Sequence, residues 1–240
     1  MKGYGQFCPV AKAAEVFCTR WTPLILRDLA GGATRFAQLQ RGVPLASPSL
    51  LTRRLRELEA DGVIERRKSP SGRSWTYHLT PRGEEFVPVV LALGTWGQRW
   101  SRRDLPPHEV DVDLLLWAME TSVHPEAFGS RRALVELDLK DEPAHKRHWW
   151  FLNDEGSCEL CLEHPGFEVD LYIVSDLPTL IRIWRGDRSL GEARESGDLE
   201  AHGSRAAIAA LPHWLGGGAL AHVAPASGAP STPRRAPAIR

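Results

Sequence analysis

The residues best suited to chemistry in this chain cluster in the segment ASPSLLTRRLRELEADG, residues 46–62. Ser49, Arg53 and Arg56 recur there at i, i+4 and i+7, with Thr52 at the edge of the same face. At 3.6 residues per turn these side chains line one side of a helix. Two guanidinium groups and two hydroxyls on one helical face match the edges of a DNA major groove. Arginine can pair bidentately with guanine, and Ser or Thr can reach bases or phosphates. An ordinary solvated face would carry the same residue types, so the flanking elements have to decide between the two readings.

Three other sets could do chemistry. Cys158 and Cys161 form a single Cys-x-x-Cys pair, but it falls in a predicted strand, where residues three apart point to opposite faces. Zinc needs about four ligands, and His145, His148 and His164 are near only in sequence, so no metal site is expected. Trp149, Trp150, Phe151, Trp184 and Trp214 supply either the wall of an apolar pocket or plain core; of these, Trp149, Phe151, Trp184 and Trp214 are the candidates for a ligand pocket. Cys8 is the remaining thiol of interest. The chain has no glycine-rich phosphate loop, no Ser/His/Asp order and no paired-carboxylate signature. An enzyme is therefore not expected, and no cofactor.

The groove-reading helix needs elements to hold it. Ser47 is a good N-cap, and Pro48 sits where a missing N–H costs nothing. Leu51, Leu55 and Leu58 make the opposite, apolar stripe, and Gly62 supplies a left-handed C-cap. Upstream, Pro9–Phe17 reads as a helix with Val10, Ala13, Ala14 and Phe17 inward. A central helix follows from a Thr22 cap to Leu29, then a short one capped by Thr34 with Phe36 and Leu39 inward. The last two short helices and the Val43-Pro44-Leu45 turn make a helix-turn-helix. Downstream, residues 63–68 and 75–79 read as a hairpin whose loop, 69–73, is tipped with basic groups. Placed as a wing, it would bring Lys68 and Arg73 to phosphates or the minor groove. Thr80-Pro81 opens a helix to about Trp100, whose stripe of Phe86, Val89, Val90, Leu93, Trp96 and Trp100 is more apolar than a small domain needs. That face, with the first helix, is expected to pack against a second subunit.

At 240 residues the chain can hold two domains. Its formal net charge of zero conceals a division: residues 1–105 carry 17 Lys+Arg against 9 Asp+Glu, and residues 106–224 carry 10 against 21. A basic first half is the footprint of a polyanion binder, and an acidic second half would be repelled by the same partner. No apolar run approaches the length of a membrane span, and the N-terminus lacks an apolar signal core. The expectation is a cytoplasmic, nucleoid-associated protein with no membrane contact.

The ordered motifs of the first half resemble those of HxlR-type winged helix-turn-helix regulators over residues 8 to about 100. They are Cys8-Pro9-Val10, Trp21, Leu26-Arg27-Asp28-Leu29, Arg35-Phe36, Ser47-Pro48, Leu51-Thr52-Arg53-Arg54-Leu55, Asp61-Gly62, Tyr77, Leu79-Thr80, Gly83 and Trp96-Gly97. The resemblance implies a homodimer on palindromic, double-stranded operator DNA. Ser47, Ser49, Thr52, Arg53 and Arg56 would then face the groove, and Thr34, Arg35, Lys68 and Arg73 would hold the backbone. Thr34 stands where the family often has a second arginine. In some members the N-terminal cysteine serves redox sensing, so Cys8 is read either as a sensor or as a buried structural thiol.

Residues 103–110 read as a polar, proline-containing linker between a first domain, 1–102, and a second, 111–224. The second domain alternates a helix at Val112–Ser122, strands near 133–139, 146–152, 157–162 and 169–175, and helices from Asp176, Ser189 and Ser204, an α+β antiparallel meander. Asn153-Asp154-Glu155-Gly156 is a hairpin turn. The stretch VDLYIVSDLPTLIRIWRGDRSLGEARESGDLEAHGSRAAIAALPHWLG resembles the sterol carrier protein fold, over residues 110–216 at its widest and 169–216 at its strongest. That resemblance implies helices and a sheet around an apolar pocket, and hence a hydrophobic small-molecule effector. A lipid carrier whose winged helix serves protein contacts is the rival reading. Residues 225–240 are Pro/Ala/Ser-rich and read as a disordered tail.

Overall fold

A computed structural model describes residues 3–69, 72, 74–100 and 105–226. Arg73, residues 103–104 at the start of the sequence-defined linker and the tail from residue 227 lie outside the described residues. The chain divides into two units, the first ending at Gly94 and the second beginning at Thr95.

The first unit opens with α1 (Pro9–Phe17), α2 (Thr22–Ala30) and α3 (Phe36–Gly42). Next come α4 (Pro48–Ala60), the hairpin β1 (Ile64–Lys68) and β2 (Trp75–Leu79), and α5 (Pro81–Glu84). Its core is Ile25, Leu26, Leu39, Val43, Leu51, Leu55, Leu58 and Val63, all essentially inaccessible to solvent. Three expectations change in detail. Trp21, not Thr22, occupies the N-cap of α2, with φ +79°, and Thr22 is buried as the first helical residue. Thr34 does not cap α3: Arg35 holds that position, while the Gln38 side chain accepts from both backbone N–H groups, Thr34 at 3.0 Å and Arg35 at 2.9 Å. The expected single helix from residue 80 to 100 is broken into α5 and α6 (Val87–Trp100). At the break, Phe86 stacks on Phe17 of α1 with centroids 3.5 Å apart.

Among the described residues the apolar stripe of α6 stays largely open. Val89, Leu91, Leu93, Trp96 and Trp100 are exposed, and so is Val10 of α1, which was expected to point inward.

The second unit contains α7 (Val112–Ser122), β3 (Ala133–Leu139), α8 (Ala144–Arg147), β4 (His148–Asp154) and β5 (Ser157–Cys161). It continues with β6 (Leu171–Ser175), α9 (Leu177–Arg185), α10 (Leu190–Glu195), β7 (Leu199–Gly203) and α11 (Arg205–Leu215). The strands form one sheet in the order β5-β4-β3-β6-β7. The expected antiparallel meander is corrected to a mixed sheet, because β6 runs parallel to β3, with Val135 opposite Leu171. Every second residue of β3, Val135, Leu137 and Leu139, joins Phe151, Leu171 and Ile173 in the core with the leucines of α7, α9 and α11. Asp111, Asp176, Ser189 and Ser204 cap four of these helices with side-chain acceptors, which fixes their starts locally. Leu105 and Val110, at the edges of the expected linker's described part, pack on this core instead of spanning free solvent. Among the described residues no helix is long and apolar enough to cross a membrane.

Candidate nucleic-acid interface

The α4 helix is held at both ends by its own residues. Ser47 Oγ accepts the N–H of Leu50 at 3.2 Å, and Gly62 follows the helix with φ +68°, where a side chain would be strained. Gln40 of α3 donates to Ala46 O at 2.7 Å, tying the turn to the preceding helix. Leu51, Leu55 and Leu58 are buried on the inner side.

The opposite side is open. Ser49, Arg53 and Arg56 are exposed and Thr52 is half-buried. The Ser49 and Ser47 hydroxyls lie 3.0 Å apart, and Thr52 Oγ1 donates to Pro48 O at 2.8 Å, so both hydroxyls are parked locally and can exchange those contacts for a base or phosphate. Arg53 makes a loose pair with Glu57 at 3.9 Å, and Arg56 makes no hydrogen bond or ion pair among the described residues. Arg54 behaves differently. Its guanidinium donates to Glu57 at 2.5 Å and to Arg20 O at 3.2 Å, so it braces α4 against the α1–α2 junction.

Thr34 and Arg35 meet the wing. Thr34 O accepts from Tyr77 N at 2.8 Å, and Arg35 bridges to Thr76, so this short stretch flanks β2 as a third extended segment. The Arg35 side chain is exposed beside it. In the hairpin Lys68 is paired across from Trp75. Trp75 is 43 % exposed, with the Arg66 guanidinium 4.4 Å and the Lys68 ammonium 5.9 Å from its ring centroid. Sequence reasoning did not single out Arg66 or Trp75; strand alternation, which places residues 66, 68, 75 and 77 on one face of the ribbon, is the signal that finds them. Thr80 Oγ1 donates to Gly62 O at 2.7 Å and accepts from Gly83 N at 3.3 Å, linking the end of α4 to the end of the wing.

Behind this surface Asp28 is buried with its Oδ1 on Arg27 at 2.8 Å and its Oδ2 without a partner among the described residues. Burial outweighs the neighbouring guanidinium and pushes its carboxyl up from 3.8 to about 6.

The other candidates lie elsewhere. Cys8 is half-buried at the N-cap of α1 and free. Burial pushes the Cys158 thiol up to about 12, which leaves it protonated at neutral pH. Among the described residues no group of three or more His, Cys, Asp or Glu side chains is arranged to hold a metal ion. Phe151 and Trp214 are wholly buried and meet edge to face at 5.6 Å, and Trp214 Nε1 donates to Asn153 Oδ1 at 2.8 Å. Trp149 Nε1 donates to Lys146 O at 2.6 Å and Trp184 Nε1 to Ser122 Oγ at 3.2 Å. These four aromatics are taken up in packing and capping contacts of the second unit.

The profile of the family described as HxlR-like helix-turn-helix matches residues 16–105. An uncharacterized HTH-type transcriptional regulator of Synechocystis, sll1512, is 36% identical over 101 residues, which cover 42% of this chain and 75% of that protein. The chain belongs to the HxlR-like helix-turn-helix family. Another relative, the uncharacterized regulator YvaP of Bacillus subtilis, is 32% identical over 40% of this chain and 90% of its own length. A solved structure of the redox regulator HypR in its oxidized form is 33% identical and aligns over 41% of this chain and 100% of that one, with a TM-score of 0.38. The HxlR-like assignment rests on residues 16–105 and makes the chain a transcriptional regulator by family, not an enzyme.

Proposed function

We propose that this HxlR-like regulator acts as a homodimer on a palindromic operator and reads it with the open face of α4. Ser49, Thr52, Arg53 and Arg56 face the major groove, with Ser47 contacting DNA at the helix start. Thr34, Arg35, Lys68 and Arg73 hold the backbone, Lys68 and Arg73 from phosphates or the minor groove. The observation that carries this reading is the division of α4, with three leucines buried on one side and Arg53 and Arg56 presented to solvent on the other. The net charge of +8 over residues 1–105 supports it.

A gel-shift with a duplex enriched by the wild-type chain from a random pool tests it. Arg53→Ala should weaken specific binding by about 1–3 kcal/mol and relax the base preference. Unchanged affinity and preference remove Arg53 from the reading face. Lack of any salt-sensitive DNA binding would favour the rival, a carrier whose winged helix serves protein contacts.

The second unit is proposed as the sensor, taking a hydrophobic small molecule within residues 110–216. Its support is the resemblance of residues 169–216 to sterol carrier proteins, together with a sheet whose inner face meets α7, α9 and α11. Redox control through Cys8 is the alternative, supported by the position of a free, half-exposed thiol at the α1 N-cap.

A further inference from the structure

The wing carries a side-chain arrangement that the α4 reading does not use. Arg66, Lys68 and Trp75 share one face of the β1–β2 ribbon, with one cation 4.4 Å and the other 5.9 Å from a single indole ring. An exposed tryptophan on a strand is costly in water, and the two cations offset part of that cost. Arg66 is also held from its other side, with Nε 3.6 Å from Glu59 Oε1 at the end of α4. The ring and the carboxylate together bias the direction of its guanidinium while its side chain remains 41% exposed. Two cations ordered around an aromatic ring suit a groove about 6 Å wide with phosphates along both walls. Such a groove is narrowest and most negative over A·T-rich sequence, where inserted Arg and Lys gain most.

We propose that Trp75 is a DNA-positioning residue: with Glu59 it orders Arg66 and Lys68 to enter the minor groove beside each half-site, and so gives the protein a preference for A·T-rich flanks. The inference rests on the operator-binding reading above. It adds a second determinant of specificity, read from groove shape and separate from the base edges that α4 meets. Loss of the ring frees both cations to sample many rotamers, so the flank preference falls while the central base preference stays.

The experiment uses the full chain and fluorescein-labelled duplexes bearing the pool-enriched central sequence, flanked by either A·T or G·C pairs. Wild type should bind the A·T-flanked duplex several-fold more tightly. Trp75→Thr, which keeps a strand-forming residue but no ring, should bind that duplex about three- to tenfold more weakly and lose the difference between flanks. Trp75→Phe should restore most of both. Circular dichroism reports whether Trp75→Thr is folded; should it not be, the Trp75→Phe and Lys68→Ala chains carry the test, the second expected to lose flank preference and the first to keep it. Equal binding of wild type to both flanks overturns the proposal, as does a Trp75→Thr chain that retains the wild-type preference. An equal loss on both flanks also overturns it, since that marks a structural role. If Arg53→Ala still alters base preference in those cases, only the wing assignment falls. If the pool yields no enriched duplex and no binding is salt-sensitive, the operator-binding reading falls with it.

Discussion

Asp28 and Gly42 are in direct contact: a Cβ on residue 42 would stand 1.9 Å from Asp28 Oδ2. The carboxylate fills the space where any larger residue would place its first carbon. Arg27 holds both partners, donating to Asp28 Oδ1 at 2.8 Å and to Gly42 O at 3.1 Å. This contact locks α2 to the end of α3, immediately ahead of the turn into α4.

Gly42→Ala is therefore expected to destabilise the first unit by about 1–3 kcal/mol, more than the helix propensity that alanine would add. Chemical denaturation measures it. Asp28→Ala in the same chain should remove most of that penalty, because the clash needs both residues. Additive losses in the double variant would show that the contact is not the cause.

Asp28 also makes stability depend on pH. Its folded value, about 6, lies above the ordinary 3.8, so the native state holds a proton that the unfolded chain has released between those values. The contribution is full below about pH 4 and is lost as pH rises through about 6, at most about 3 kcal/mol in all. The difference in stability between wild type and Asp28→Asn should change across pH 4–7, with the variant gaining relative to wild type toward pH 7. Parallel curves for the two chains would contradict this.

The uncovered stripe of α6 predicts the assembly. Val89 is 45% and Leu93 52% exposed in the single chain, and a dimer that buries them accounts for their type. Val89→Glu with Leu93→Glu should sediment as a monomer at micromolar concentration. A persisting dimer places the interface elsewhere.

In the second unit, Trp214→Phe leaves the buried Asn153 Oδ1 without its donor, although Asn153 Nδ2 keeps Ala133 O and Phe151 O. A loss of about 1–3 kcal/mol is expected from the unpaired oxygen, plus a term for the smaller ring. Thermal unfolding followed by near-ultraviolet dichroism checks it, and an unchanged melting temperature would refute it.

What the sequence revealed and what it hid divide along local and distant causes. Ser47, Pro48, the leucine stripe and Gly62 define α4 because every relevant partner lies within a few residues. The Glu155–Gly156 turn is legible for the same reason, with Asp154 opposite Ser157. Thr34 has the look of a cap, but its carbonyl is claimed by Tyr77 from the far side of the wing. The break before α6 is within reach of the sequence, because Pro88 has no N–H for the carbonyl of Glu84 and cannot continue α5. The stacking of Phe86 on Phe17, by contrast, is a distant contact that local pattern does not announce. The parallel pairing of β3 with β6 is hidden likewise, since a strand's own alternation does not name its neighbour. At the interface, single residue types pointed to Arg53 and Lys68, whereas Trp75 emerges only once the register sets it opposite Lys68.

The position of β3 between β4 and β6 has a consequence for how the chain is made. During synthesis the first unit can fold once residue 94 has emerged, since the elements that complete its core are near one another along the chain. The strand β3 emerges after α6 and α7, yet it cannot be enclosed until β6 has been translated, and β6 in turn waits for Gly203 to pair with Leu171. Through that interval an apolar strand edge is open to pairing with nascent neighbours. Chains shortened anywhere between β3 and Gly203 should therefore keep a folded reader and aggregate through the unfinished sheet.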